Sequence, residues 1–153
     1  MTITEAVPSQ YREPERAELI ELIAQSHHRI IGKPLVDETD DVIEALWRAP
    51  DAILAHGTDP DPVFFFANAR ALEVFEYDLE TMLRTPSRLS AEAPLREERR
   101  RLLDRVGDKG FIDDYSGIRI SATGRRFRIG PATVWNLLDE QGIRHGQAAT
   151  FAI

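Results

Sequence analysis

The sequence contains no cysteine. Disulfides, thiolate metal sites, cysteine nucleophiles and cofactors held through a cysteinyl bond are therefore excluded. No apolar run is long enough to span a bilayer, and the opening stretch MTITEAVPSQ lacks the basic-then-apolar order of a secretion signal. The expected location is the cytoplasm, with no membrane attachment. Positive charge is not in excess either: the formal net charge is −7, with acids dominating the first half and arginines clustering after position 88. That balance disfavours direct electrostatic binding to nucleic acid or anionic lipid. No glycine-rich phosphate loop, nucleophile elbow, internal repeat or low-complexity tract occurs. What is present, 42% hydrophobic and 29% charged residues over 153 positions, suits one domain that buries a core without covalent staples.

The stretch VFFFANARALEVFEY, residues 63–77, changes period in its middle. Phe64, Phe65 and Phe66 favour a pleated strand, whereas Ala71, Leu72, Val74 and Phe75 fall at the spacings of a helix face. Asn68 stands at the changeover and is expected to cap the helix through its side-chain oxygen. Upstream, Ala52 to His56 reads as a first strand, joined to the second by the turn GTDPDP. Downstream, Asp78 starts a short helix, and a longer one is expected after Pro94, with Leu95, Leu102, Leu103 and Val106 on one face. The remainder, FIDDYSGIRIS to GQAATF, reads as three strands with hairpins at Gly124 and at Glu140 to Gly142.

Before these elements, residues 1–12 are expected to form a loose arm. A first helix then starts at Pro14 and stops at Gly32, presenting Leu19, Ile20, Leu22, Ile23, Ile30 and Ile31. A second is expected from Thr39 to Ala49, capped by Thr39 or Asp40. The domain division is an arm and helix over 1–36 and a core domain over 37–153. The core domain does not need the first helix for its own strands, so that helix is expected to build a homodimer through its apolar face. The fold class is α+β: a five-stranded antiparallel sheet with helices over one face, preceded by N-terminal helices.

This element order resembles that of PAS sensory domains, and FANARALEVFEYDLE resembles their strand-to-helix stretch. PSRLSAEAPLREERRRLLDRV, GFIDDYSGIRISATGRRFRI, ATVWNLLDEQG and GQAATF together resemble the MEKHLA domain of bacterial proteins, over residues 45 to 151. The resemblance implies a PAS-related fold. Related sequences end plant homeodomain-zipper regulators, where a sensing or dimer-controlling role is inferred. No catalytic residues come with the family.

Alternation along the strands places Phe64, Phe66, Phe127, Ile129, Val134 and Asn136 on an inward face, with Phe75, Met82 and Leu83 closing a space under the helices. In PAS-like domains this region holds a ligand. Asn136, Gln147 and Tyr115 are the polar groups expected to orient a small apolar ligand there. A filled core is the alternative, since aromatics at strand spacing are commonly core. No cofactor is named by the sequence: the longest expected helix has no histidine for haem, leaving only His56 or His145. His27 and His28 diverge on their helix, one facing the apolar side and one water, and His56 with Asp59 and Asp61 reads as a turn and not as a metal site.

Asp113 and Asp114 point to opposite faces of a strand, and one is expected to bond Arg119, Arg126 or Arg128 across strands. The expected function is a ligand-sensing or protein-interaction module without intrinsic catalysis. One alternative is a purely structural dimerisation module with a solid core. Another is a small-metabolite enzyme using Asp113, Tyr115 and Arg126. The volume between sheet and helices separates these readings.

Overall fold

The computed structural model describes residues 6–90, 97, 100–102, 104–107 and 110–152. Its centre is a five-stranded antiparallel sheet of order β2-β1-β5-β4-β3. The strands are β1 Ala52–His56, β2 Phe64–Ala67, β3 Phe111–Ile120, β4 Arg126–Leu138 and β5 Arg144–Phe151. They are accompanied by the helices α1 Pro14–Ile31, α2 Val42–Arg48, α3 Ala69–Phe75 and α4 Leu79–Met82. The α+β class and the five antiparallel strands agree with the sequence reading. Residues 97, 100–102 and 104–107 are helical, on the segment where the longer helix was expected; Leu95 and Leu103 lie outside the described residues.

Helix ends follow local chemistry. Pro14 opens α1, and Gly32 closes it in the left-handed region at φ 84°, its amide donating to the His28 carbonyl at 2.9 Å. The cap of α2 is Asp41, one residue beyond the expected Asp40: its carboxylate accepts the Glu44 amide at 3.2 Å, while Thr39 Oγ1 accepts the Asp41 amide. Asp78 caps α4 by accepting the Thr81 amide at 2.8 Å. Asn68 caps α3 as expected, accepting the Ala71 amide at 2.9 Å.

Strand alternation sorts the core onto the two faces of the sheet. Ile53, Ala55, Phe66, Trp135, Leu137 and Ala148 pack with Ile20, Leu22 and Ile23 of α1 and Ile43, Leu46 and Trp47 of α2. On the other face Leu54, Phe64, Ile129, Ala132 and Phe151 pack with Val74 and Phe75 of α3 and Met82 of α4. Leu102 and Val106 extend this side over Ile112 and Val134. Both faces are therefore covered, where one was expected to be.

The placement of α1 differs from the expected one. The indole N–H of Trp135 donates to the Ile23 carbonyl at 3.1 Å. Ser26 Oγ donates to the Leu138 carbonyl and accepts the Leu138 amide. His27 is buried edge-on against Trp135, with ring centroids 4.9 Å apart, while His28 is exposed. The apolar face reserved for a second copy thus meets the chain's own sheet, because Trp135 and Leu137 alternate outward on β4 and need a cover. The expected loose arm is also engaged. Ser9–Arg12 form a 3-10 turn, and the buried Tyr11 hydroxyl donates to the Ala67 carbonyl at 2.6 Å and accepts its amide at 3.0 Å. A division at residue 36 cuts through one packed unit. Among the described residues no helix is long and apolar enough to cross a membrane.

Candidate functional site

A cavity of about 50 Å³ lies between α3 and the face of the sheet that α1 does not cover. That is several times the space of one ordered water, and well below the roughly 300–1,000 Å³ of a site for drug-sized ligands. Its apolar walls come from all the layers: Leu54 and Phe64 from β1 and β2, Phe75 from α3, Leu102, and Ile129, Ala132, Val134 and Phe151 from β4 and β5. Polar character enters through His56, Ser90, Tyr115, Arg119 and Gln147.

Six of the ten expected site residues line this cavity: Phe64, Phe75, Tyr115, Ile129, Val134 and Gln147. Met82 and Phe127 stand behind them in the same apolar cluster, Phe127 edge-on to Phe75 with centroids 5.1 Å apart. Asn136 lies behind Gln147, its neighbour across β4 and β5. Phe66 is not brought to the site. Ala55 pairs with Phe66 and His56 with Phe64, so β2 advances two residues while β1 advances one. Phe65 is the extra residue of that bulge, and it sends Phe64 to the cavity and Phe66 to the α1 side.

The amide orientations form a chain. Asn136 Nδ2 donates to the Val106 carbonyl at 3.4 Å, which turns its Oδ1 toward Gln147 Nε2 at 3.1 Å and Arg144 Nε at 3.2 Å. Gln147 Nε2 is thereby committed to Asn136, and Gln147 Oε1 is left buried with no hydrogen bond. Gln147 is only 2% exposed. A buried, unsatisfied carbonyl oxygen costs about 1–3 kcal/mol, so a donor brought by an occupant would be favoured at this wall.

Several wall residues were missed in the sequence. Arg119 was named only as one of three arginines that could bond Asp113 or Asp114, although Tyr115, Gly117 and Arg119 recur with the strand period. Tyr115 folds over Gly117, where a Cβ would collide with the Tyr115 hydroxyl, and the Arg119 guanidinium sits 5.1 Å from the Tyr115 ring centre. Asp113 and Asp114 are exposed, as are Arg126 and Arg128, whereas Tyr115 faces the cavity. Asp114 lies 3.9 Å from Arg105 and not beside an arginine of a neighbouring strand. His56 ends β1 as expected but was not placed at the site; it lies opposite Gln147, with Nδ1 2.9 Å from the Gly57 carbonyl.

The sequence pattern of the MEKHLA domain matches residues 17–153. The chain belongs to the MEKHLA family. The matched span begins inside α1, so the MEKHLA unit includes most of the helix that covers Trp135. This MEKHLA chain is similar to two plant homeobox-leucine zipper proteins. HOX9 of Oryza sativa subsp. indica is 32% identical over 146 residues, which are 90% of this chain and 17% of that protein. REVOLUTA of Arabidopsis thaliana is 31% identical over 133 residues, 81% of this chain and 15% of that protein. The chain thus spans only a small part of either relative. Among solved structures, a PAS domain from Colwellia psychrerythraea superposes with TM-score 0.62 at 14% identity, covering 71% of this chain and 89% of that one. The blue-light photoreceptor Vivid in its photo-excited form gives 0.59 at 14% identity, covering 86% and 94%. The MEKHLA fold here is PAS-like.

Proposed function

We propose that this MEKHLA chain is a sensing module that takes a compact small molecule between α3 and the sheet and carries out no chemistry on it. The observation that carries the reading is Gln147 Oε1: a buried acceptor with no partner, on the wall of a mainly apolar cavity. The PAS-like fold supports the sensory class, and Vivid is itself a photoreceptor by description. Photochemistry through a cysteinyl adduct has no residue here to use.

The occupant would have an apolar body facing Phe75, Ile129 and Val134 and a donor facing Gln147. The consequence of binding would travel along the amides already described. A donor that holds Gln147 Oε1 fixes Nε2 on Asn136, and Asn136 in turn holds Arg144, which is exposed at the start of β5, and the Val106 carbonyl. The surface that reports occupancy is thus the β4–β5 hairpin and the helical segment ending near Val106.

Pyrrole and furan test this pair of requirements, because they share size and shape while only pyrrole carries an N–H donor. In ¹⁵N-labelled protein, pyrrole is expected to shift the Gln147 side-chain amide and the backbone of Ala132 and Ala149, with furan binding more weakly. Shifts confined to exposed residues, or equal affinity for both rings, would overturn the reading.

A further inference from the structure

Arg119 is the most unusual group on the cavity wall. It is only 7% exposed. Its interactions are a hydrogen bond from Nη1 to the Ile118 carbonyl at 3.1 Å and the stack on Tyr115. Neither partner is an anion that would balance a guanidinium. Among the described residues no carboxylate lies within ion-pair distance of Arg119. Glu76 pairs with Arg125, and Asp114 faces Arg105. Arginine is rarely buried without a paired anion, since the cost of removing the charge from water is met only by an opposite charge and hydrogen bonds. The strand has nonetheless been shaped to hold this side chain inward: Gly117 provides the space over which Tyr115 lies, and Tyr115 supplies the ring under the guanidinium.

We infer that the missing anion is part of the ligand, and that the molecule sensed is a compact organic acid whose carboxylate pairs with Arg119 while its apolar body fills the cavity and its donor group meets Gln147. This inference rests on the sensing reading and names the ligand class for the same site. A planar carboxylate matches the guanidinium fork, and in a water-poor, apolar enclosure such a pair is stronger than on a surface. The aromatic stack holds Arg119 in place before the acid arrives, which lowers the ordering cost of binding. Leu102 and Tyr115 are walls both of the cavity and of an open cleft that holds Glu97, Arg101, Arg105 and Asp114, so cavity and cleft adjoin at these two side chains.

Isobutyrate and isobutyramide, equal in shape and different in charge, are the probes. Titrated into the ¹⁵N-labelled full chain beside pyrrole, isobutyrate is expected to bind at least about tenfold more tightly than isobutyramide, with shifts at the Arg119 Nε–H and at Ala132. Arg119→Met should erase that preference and Arg119→Lys should keep part of it. Equal affinity of the wild-type protein for acid and amide would overturn the inference while leaving the sensing reading intact, provided that pyrrole still moves the cavity residues. An Arg119→Met protein that folds and keeps the preference would overturn it in the same way. If none of the probes moves a cavity residue, both the inference and the reading beneath it fall.

Discussion

The side-chain oxygen of Asn68 accepts the amide proton of Ile53, fifteen residues earlier in the chain, at 3.0 Å while it also caps α3 through Ala71. Its Nδ2 donates to the Leu46 carbonyl at 3.1 Å and to the Asp51 carbonyl at 2.9 Å. One fully buried side chain therefore joins the end of α2, the start of β1 and the start of α3.

That arrangement predicts a penalty beyond that of a helix cap. A cap alone is worth about 1 kcal/mol, but Asn68→Ala also removes the partners of the Ile53 amide and the Asp51 carbonyl, while the Leu46 carbonyl keeps the Ala49 amide, for a total of roughly 3–5 kcal/mol. Asn68→Asp is the sharper variant. Aspartate caps helices as well as asparagine does, yet its carboxylate would face the Leu46 and Asp51 carbonyls with no proton to offer. Urea denaturation is expected to place both variants well below wild type, and an Asn68→Asp protein of wild-type stability would reduce Asn68 to a cap.

The cover that α1 gives to Trp135 and Leu137 predicts that a chain beginning at Asp37 does not unfold cooperatively. Burial of Ile20, Leu22 and Ile23 alone contributes on the order of 5–9 kcal/mol, comparable to the whole stability of a domain. Trp135→Phe keeps the helix but removes both the donor to the Ile23 carbonyl and part of a fully buried ring system, at a cost of about 1–3 kcal/mol. A shortened chain with a sharp, wild-type-like melting transition would mean that α1 is an accessory and not part of the core.

His27 gives the stability a pH dependence of known sign. Burial holds its pKa below the ordinary value of 6.5, outweighing the hydrogen bond to the Lys33 carbonyl at 2.8 Å, and the neighbouring His28 pushes the same way. The folded state thus favours the neutral ring, and the unfolded chain takes up the proton first as pH falls. The contribution of His27 is fully present above pH 6.5 and is lost as pH falls through 6.5 toward the lowered folded value. Urea midpoints at pH 7.5 and 5.5 should therefore drop in the wild type, and His27→Gln should flatten the difference. An unchanged slope in that variant would assign the acid sensitivity to other groups.

Gln147→Leu exchanges a half-satisfied polar side chain for an apolar one of similar size. Asn136 keeps its partners Arg144 and Val106, so the empty protein is expected to be as stable as wild type or more so, while the preference for pyrrole over furan disappears. A loss of several degrees in Tm would show that Gln147 serves packing first.

Where the sequence was readable, the cause was local. Asn68, Asp78, Gly32 and Pro14 mark helix ends by chemistry confined to a few residues, and the hairpins carry their glycines and prolines in the turns. The candidate site was legible where alternation holds within a segment, at Ile129 on one side and at Val134 and Gln147 on the other side of the extra residue by which β4 advances three positions from Ile129 to Ala132 while β3 advances two. It failed at Phe66, because a bulge at Phe65 depends on how β2 meets β1 and leaves no mark in a run of three identical residues. The role of α1 was not legible either: an amphipathic helix shows that something covers it and not what does. Arg119 was within reach, since it shares its period with Tyr115, but charge drew attention to pairing across strands instead of to the face on which the side chain lies.

The central claim is that the space beside Gln147 is a binding site and not a packing defect. Native mass spectrometry of protein purified without refolding tests it most directly, with Ala132→Leu as the companion because Ala132 is fully buried on the cavity wall and a larger side chain there fills it. The predicted result is a wild-type species heavier than the bare chain by one small molecule and an Ala132→Leu species at the bare mass. The same bare mass for both proteins, or a bound molecule that survives Ala132→Leu, would contradict the account.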